Sequence, residues 1–252
     1  MWNKRITLTQ RDLQIFKLIN ELWFIQSNTI HNIVSPWTQQ KVFRSRLQDL
    51  KKHWFIREIW WKERIRNQFS IHALTSDQNI LNRIKYETWV EIAKTYYNNS
   101  YSLFNHQLYL WRLLDYFISK LKKQHPNYQP NFDDILWAKS VDRTIKKELS
   151  NANTKYQLLE YCMVPDLTLS TSSTLYCLEL ENLNSTSQFE KKIQGYNDLL
   201  LRKTNKDFYE LFQGKQIFLV IACWSHKIEK YKEILKQHWS GKCILIDIES
   251  IL

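Results

Sequence analysis

The stretch PDLTLSTSSTLYCLELE, residues 165–181, decides the fold of the second half of the chain. It contains most of one predicted strand, over 162–169, and all of a second, over 174–180. A turn rich in Ser and Thr separates them. Acidic residues interrupt the pattern at Asp166, Glu179 and Glu181. Because side chains alternate between the faces of a strand, Glu179 and Glu181 are expected on the same face.

The residues around this stretch extend the pattern of an α/β domain. We predict a helix, a strand, a helix and a last strand after it, over 187–202, 216–223, 227–239 and 242–247. Another helix is predicted before it, over 141–150. The strands and helices alternate in the order β-β-α-β-α-β. This order predicts a mixed sheet flanked by helices within residues 130–252.

The N-terminal residues 1–76 have a different pattern. Thr9 and Asp12 resemble a capping box that opens a helix. A second helix is predicted over 27–34 and a third, after Pro36, over 37–53. Two strand-like runs follow, over 55–61 and 68–74. Three short helices followed by a hairpin are typical of a winged helix, whose third helix enters the major groove of DNA.

Positive charge is concentrated in this N-terminal region. The 252-residue chain has a formal charge of +11, and residues 1–76 hold 13 Lys and Arg against 5 Asp and Glu. Basic and polar residues fall on one face of the third helix and on the turn between the strands: Lys41, Arg44, Ser45, Gln48, Lys52, Lys62, Arg64 and Arg66. This pattern predicts contacts with double-stranded DNA, where lysine and arginine neutralise phosphates. The alternative is a small helical domain with a solvated charged face.

The remaining composition limits the class of protein. Residues 77–129 read as a helical connector, with a linker over 120–133. Four separated cysteines without a C-x-x-C pair favour reduced thiols over a zinc site. The longest apolar run, 217–224, is too short to span a bilayer, and no apolar leader opens the sequence. We therefore expect a cytoplasmic protein that does not act at a membrane.

The acidic residues suggest a cation site. Asp166 and Glu179 on adjacent strands could hold one hard divalent ion, Mg²⁺ or Mn²⁺, with water as the other ligands. Such an ion activates water or stabilises charge during phosphate transfer. Lys192 and Tyr196 lie one turn apart on the following helix. Lys192 could stabilise the phosphate, and Tyr196 could position it or attack it. The alternative is a solvated acidic cluster on an ordinary sheet.

These motifs resemble the PD-(D/E)xK nuclease fold and, more narrowly, the replication-relaxation family of plasmid proteins. That family joins an N-terminal winged helix to a nuclease-like domain and includes the mobilisation-C relaxases. In order along the chain, the matching elements are Leu8-Thr9-x-Arg11-Asp12, Arg46-Leu47-x-x-Leu50, His106, Val141-Asp142-Arg143, Pro165-Asp166, Leu178-Glu179-Leu180-Glu181 and Lys192-Ile193-x-x-Tyr196. The resemblance implies an α+β protein with a winged helix, a helical connector and a PD-(D/E)xK-like domain.

One position departs from the nuclease pattern. Glu181 stands where the motif has its lysine, so Lys192 is the candidate substitute from the helix. The acidic residue expected from the preceding helix is Asp142, with Glu148 as a rival. The resemblance implies a catalytic set of Asp166, Glu179, Glu181, Lys192, Tyr196 and Asp142.

Three functions remain open from the sequence. The first is a relaxase-like, metal-dependent endonuclease that nicks DNA at a plasmid transfer or replication origin. The second is a DNA-binding accessory protein or regulator that works with mobilisation or replication proteins without cutting DNA. The third is a transposase-like or restriction-type nuclease.

Overall fold

The computed structural model describes residues 6–22, 24–59, 70–90, 92, 101–128, 130, 134–137, 165–181, 185–201 and 214–251. These residues form an α+β protein. The chain divides into two compact units, residues 1–111 with 121–132, and residues 112–120 with 133–252.

The first unit contains helices and a small sheet. Its elements in chain order are α1 (Gln10–Leu22), β1 (Ile25–Gln26), α2 (Ser27–Val34), α3 (Gln40–Lys52), β2 (Ile56–Ile59), β3 (Ile71–Leu74) and α4 (Gln78–Thr88). The predicted second helix is confirmed at both ends. The third helix and both strands lie inside their predicted ranges. Residues 60–69 at the hairpin tip lie outside the described residues, and with them Lys62, Arg64 and Arg66.

The three strands of the first unit form an antiparallel sheet in the order β1-β3-β2. In the hairpin, Ile56 lies opposite Leu74 and Ile59 opposite Ile71. Strand β1 pairs Ile25 with His72, and it was not predicted because two residues show no periodicity. The sheet therefore ties the chain before α2 to the hairpin after α3.

The capping box at the start of α1 is confirmed. The Thr9 backbone N–H donates to Asp12 Oδ2 at 2.7 Å, and the Asp12 N–H donates to Thr9 Oγ1 at 3.4 Å. Asp12 is fully buried and also accepts from Arg46 of α3, from Nε at 3.0 Å and from Nη2 at 2.6 Å. One carboxylate thus fixes the start of α1 and joins this helix to α3.

A long helix, α5 (Tyr101–Gln124), follows the first unit's α4. The predicted linker over 120–133 is wrong at its start, because helical hydrogen bonding continues to Gln124 and the His125 N–H still donates to Leu121 O at 2.8 Å. Pro126 then ends the helix because it has no backbone N–H to continue the ladder.

The second unit is built on a mixed sheet, as predicted. The strands are β4 (Ile135–Trp137), β5 (Leu167–Ser170), β6 (Thr174–Glu181), β7 (Gln216–Cys223) and β8 (Lys242–Asp247), in that spatial order. Strand β5 pairs antiparallel with both β4 and β6, whereas β6, β7 and β8 pair in parallel. The predicted helix over 141–150 lies outside the described residues, so Asp142 and Glu148 have no described position.

Two helices cover one face of this sheet. They are α6 (Thr186–Leu201) and α7 (Ser225–His238). Their buried residues join Leu175 and Cys177 of β6 and alternate residues of β7 in one core, in which Phe189 stacks on Tyr231 with ring centroids 3.8 Å apart. The opposite face receives Phe117 of α5 against Tyr176, at 5.0 Å. Burial on both faces explains why β7 is an unbroken apolar run.

Among the helices in the described ranges, none combines the length and the apolar character that crossing a bilayer requires.

Candidate functional site

The two strands of the opening stretch bring Asp166 next to Glu179. Leu167 pairs with Leu178 in the antiparallel register, so the preceding residue, Asp166, comes opposite Glu179. Asp166 Oδ2 accepts a hydrogen bond from the Leu180 backbone N–H at 2.9 Å. The partly buried Asp166 carboxylate is therefore fixed to the strand that carries both glutamates.

Glu179 and Glu181 lie on the face of β6 that α6 covers. They follow Leu175 and Cys177 in the alternation of the strand and are 1% and 0% exposed. Carboxylates are rarely buried to this extent unless they are paired or hydrogen-bonded. The groups that pair with these glutamates therefore define the site.

Lys192 and Tyr196 of α6 are those partners. Lys192 Nζ donates to Glu179 Oε2 at 3.0 Å and also to Glu181 Oε1. The Tyr196 hydroxyl, in a side chain 1% exposed, donates to Glu179 Oε1. The structure thus brings together Asp166, Glu179, Glu181, Lys192 and Tyr196, a set that we call the acid-lysine cluster.

Electrostatics in the acid-lysine cluster favour retained protons. Burial raises the pKa of Glu179 to about 8, and the charges of Asp166 and Glu181 add to this, against the opposing effects of Lys192 and Tyr196. Burial opposes the charge on Lys192, but the carboxylates of Glu179, Glu181 and Asp166 outweigh it and raise the pKa of Lys192. Three carboxyl groups face one ammonium, so the electrostatics of the cluster favour the binding of a further positive charge, either a proton or a cation.

The buried hydroxyl of Tyr196 is poorly suited to attack a phosphate. Burial, with the neighbouring charge of Glu179, raises the pKa of Tyr196. A tyrosine nucleophile must lose its proton and reach the substrate, whereas the Tyr196 hydroxyl keeps its proton and donates it in a hydrogen bond to Glu179 Oε1. The geometry favours a role for Tyr196 in orienting Glu179.

The chemistry of the cluster fits a divalent cation through two residues. Asp166 and Glu179 supply the oxygen ligands that Mg²⁺ and Mn²⁺ prefer, and Mg²⁺ commonly binds through one or two carboxylates with water. A group of three or more His, Cys, Asp or Glu residues arranged around one point is not found in the described part of the chain. Lys192 already contacts Glu179 and Glu181, so Lys192 is the group with which a cation would compete.

A second row of side chains lies at the same edge of the sheet and was not predicted from the sequence. The parallel registers place Glu181 beside Cys223 and Cys223 beside Asp247, at the carboxyl ends of β6, β7 and β8. Ser225 Oγ donates to Asp247 Oδ2 at 2.6 Å. Burial raises the pKa of Cys223 to about 11, and Asp247 and Glu181 contribute. Asp247 could have been found from the rule that parallel strands end at one edge.

The residues predicted to contact DNA are exposed on α3. They are Lys41, Arg44, Ser45, Gln48 and Lys52. Phe43, Leu47 and Leu50 of the same helix are buried. This separation of faces is the one that the periodicity predicts, and it leaves the polar face available to a ligand.

A cleft of 680 Å³ lies between the start of α1 and α3. Its lining residues are Thr9, Arg11, Lys41, Val42, Ser45, Arg46 and Asp49, and we refer to it as the α1–α3 cleft. Lys41 and Ser45 belong to the predicted DNA-contact face, so the cleft continues that face. Sequence reasoning did not assign Arg11 to it.

The chain was compared with family models, curated proteins and solved structures, and none of the three comparisons gave a match.

Proposed function

We propose that the protein is a relaxase-like, metal-dependent endonuclease that binds double-stranded DNA through its first unit and nicks one strand with its second. The observation that carries this proposal is the convergence of Asp166, Glu179 and Lys192 at the junction of β5, β6 and α6. These are the residue types that a PD-(D/E)xK-like site requires, with the lysine supplied by the helix.

The first unit supports the DNA-binding part of the proposal. Its elements follow the order α1-β1-α2-α3-β2-β3, with a three-stranded antiparallel sheet, which is the element order of a winged helix. In that fold the third helix reads the major groove. The exposed cations Lys41, Arg44 and Lys52 lie on that helix.

The acid-lysine cluster has the groups for hydrolysis of a phosphodiester. Asp166 and Glu179 would hold the metal ion, which supplies activation of water and charge stabilisation when it is bound. Glu179 is oriented by Tyr196. The Lys192 ammonium would stabilise negative charge on the phosphate as the new bond from water to phosphorus forms and one ester bond breaks.

The DNA substrate that we propose is a plasmid transfer or replication origin, and mobilisation or replication proteins are the proposed partners. Both rest on the resemblance of the ordered motifs to the replication-relaxation family. Three of those motifs contribute residues to the acid-lysine cluster, which supports the proposal: Pro165-Asp166, Leu178-Glu179-Leu180-Glu181 and Lys192-Ile193-x-x-Tyr196.

A second candidate function has its own observation. Lys192 bonds both Glu179 and Glu181, so the cluster already contains one internal cation. Such a cluster also suits a nuclease-like scaffold that no longer cuts DNA. The protein would then be a DNA-binding accessory protein or regulator.

Plasmid relaxation separates the two functions. Purified protein is incubated with supercoiled plasmid carrying a candidate origin, with Mg²⁺, with Mn²⁺ or with a chelator. The endonuclease proposal expects open-circular DNA with either metal and none with the chelator. Tight, salt-sensitive binding without nicking under any metal would instead support the accessory protein.

A further inference from the structure

We propose that the α1–α3 cleft is a clamp for one backbone phosphate of double-stranded DNA, with Arg11 and Lys41 as its ligands. The inference deepens the proposed function, on which it rests, by adding Arg11 to the DNA-contact residues. The clamp would fix the orientation of α3 on the duplex without reading bases, as phosphate contacts do.

The neighbours of Arg11 have structural tasks. Thr9 and Asp12 cap α1, and Arg46 is engaged by Asp12 and by Thr7 O, at 2.8 Å. The charge of Asp49, also in the lining, acts on Arg46. Arg46 therefore balances the charge of the acidic residues at this end of the first unit, Asp12 and Asp49.

Arg11 and Lys41 differ from Arg46 in their polar contacts. Within the described residues, Arg11 makes one long hydrogen bond, from Nη1 to Thr38 Oγ1 at 3.4 Å, and neither Arg11 nor Lys41 forms an ion pair. Arg11 is half-buried and Lys41 is exposed. These two cations line the cleft from α1 and from α3, and the planar guanidinium of Arg11 leaves Nε and Nη2 to bind a phosphate in two-point geometry.

The position of the cleft selects DNA as the source of the phosphate. Lys41 and Ser45 line the cleft and also belong to the exposed polar face of α3. If α3 lies in the major groove of a duplex, the phosphates that border that groove come next to the α1–α3 cleft. A phosphodiester with its flanking sugars is the polyanion segment that matches these charges.

Binding of a double-stranded oligonucleotide, measured over a salt series, tests the clamp. Arg11→Gln should weaken binding about tenfold and reduce the slope of log affinity against log salt by about 0.9, the value for one lost phosphate contact. Arg11→Lys should keep the slope while losing part of the affinity. Lys17→Gln removes the same charge from α1 outside the cleft lining, so it should match the wild type.

A second variant protects the test against misfolding. Val42 is 53% exposed and lines the cleft, so Val42→Glu should leave thermal unfolding unchanged and still weaken DNA binding by repulsion. The double variant Lys41→Ala/Arg44→Ala is measured in parallel. One outcome would overturn the clamp and leave DNA binding by α3 intact: the double variant loses affinity and has a smaller salt slope, while Arg11→Gln and Val42→Glu bind as the wild type does. Wild-type binding by all of these variants would overturn the clamp and the DNA-contact face together.

Discussion

Replacing Lys192 with methionine should lower the free energy of unfolding by about 3 kcal/mol near pH 8, because two buried glutamates lose their cation. Glu179 and Glu181 are 1% and 0% exposed, and the Lys192 side chain, 17% exposed, contacts both. Methionine keeps most of the length of the side chain. The effect is therefore one of lost charge and hydrogen bonding, measured by chemical denaturation.

The loss should depend on pH in a defined direction. The pKa of Glu179 is raised from 4.5 to about 8, so its contribution to stability is present below pH 4.5 and is lost as the pH rises through about 8. Lys192 offsets part of that loss, and its own raised pKa keeps it charged throughout this window. Denaturation of Lys192→Met at pH 5 and pH 8 should therefore show the larger deficit at pH 8.

Lys191→Met is the matched control, because Lys191 is the exposed neighbour of Lys192 on the same helix. It should change stability little at either pH. An equal effect of the two substitutions, or a deficit of Lys192→Met that shrinks at pH 8, would contradict the assignment of Lys192 as the cation of the cluster.

The second large effect is expected for Asp12→Ala, at about 3 kcal/mol of unfolding free energy. The fully buried carboxylate of Asp12 accepts hydrogen bonds from Arg46 and from the Thr9 N–H, and its removal leaves these donors unpaired. Burial raises the pKa of Asp12, but the hydrogen bonds from Arg46 and Thr9 outweigh burial and lower it. The contribution of Asp12 is thus present above pH 3.8 and lost as the pH falls through the lowered value.

Denaturation at neutral pH and at pH 3 measures this effect. The difference between Asp12→Ala and the wild type should be smaller at pH 3, because below pH 3.8 the unfolded chain takes up a proton that the native carboxylate, with its lowered pKa, resists. Glu87→Ala, which removes an exposed carboxylate from α4, should be close to neutral at both pH values. A small effect of Asp12→Ala would mean that the contact between α1 and α3 does not depend on this ion pair.

Sequence patterns predicted the longer elements of the fold because those elements carry their own periodicity. The second helix was predicted at 27–34, and β8 at 242–247, as the structure has them. The short strands β1 and β4, of two and three residues, were missed because they exist through pairing with β3 and β5. Pairing partners far along the chain leave no local pattern to read.

The candidate site was predictable where its geometry follows from strand alternation and helical spacing. Those rules place Glu179 beside Glu181 and Lys192 beside Tyr196. They do not specify that Lys192 bonds both glutamates, since that contact depends on how α6 packs on the sheet. The row of Glu181, Cys223 and Asp247 likewise depends on the register of three parallel strands.

Nicking by carboxylate variants at equal DNA occupancy tests the central claim most directly. Asp166→Asn and Glu179→Gln keep the shape of their side chains, and Glu229→Gln changes a carboxylate of α7 whose side chain is 83% exposed as a control. The assay contains Mg²⁺ or Mn²⁺ and a protein concentration well above the Kd for the plasmid. Under these conditions the account predicts that both cluster variants bind as the wild type does. It also predicts that they nick at least about 100-fold more slowly, because metal stabilisation of the transition state is worth several kcal/mol. The control should nick at the wild-type rate. Nicking by Asp166→Asn and Glu179→Gln at the rate of the wild type would show that the reaction does not take place at the acid-lysine cluster.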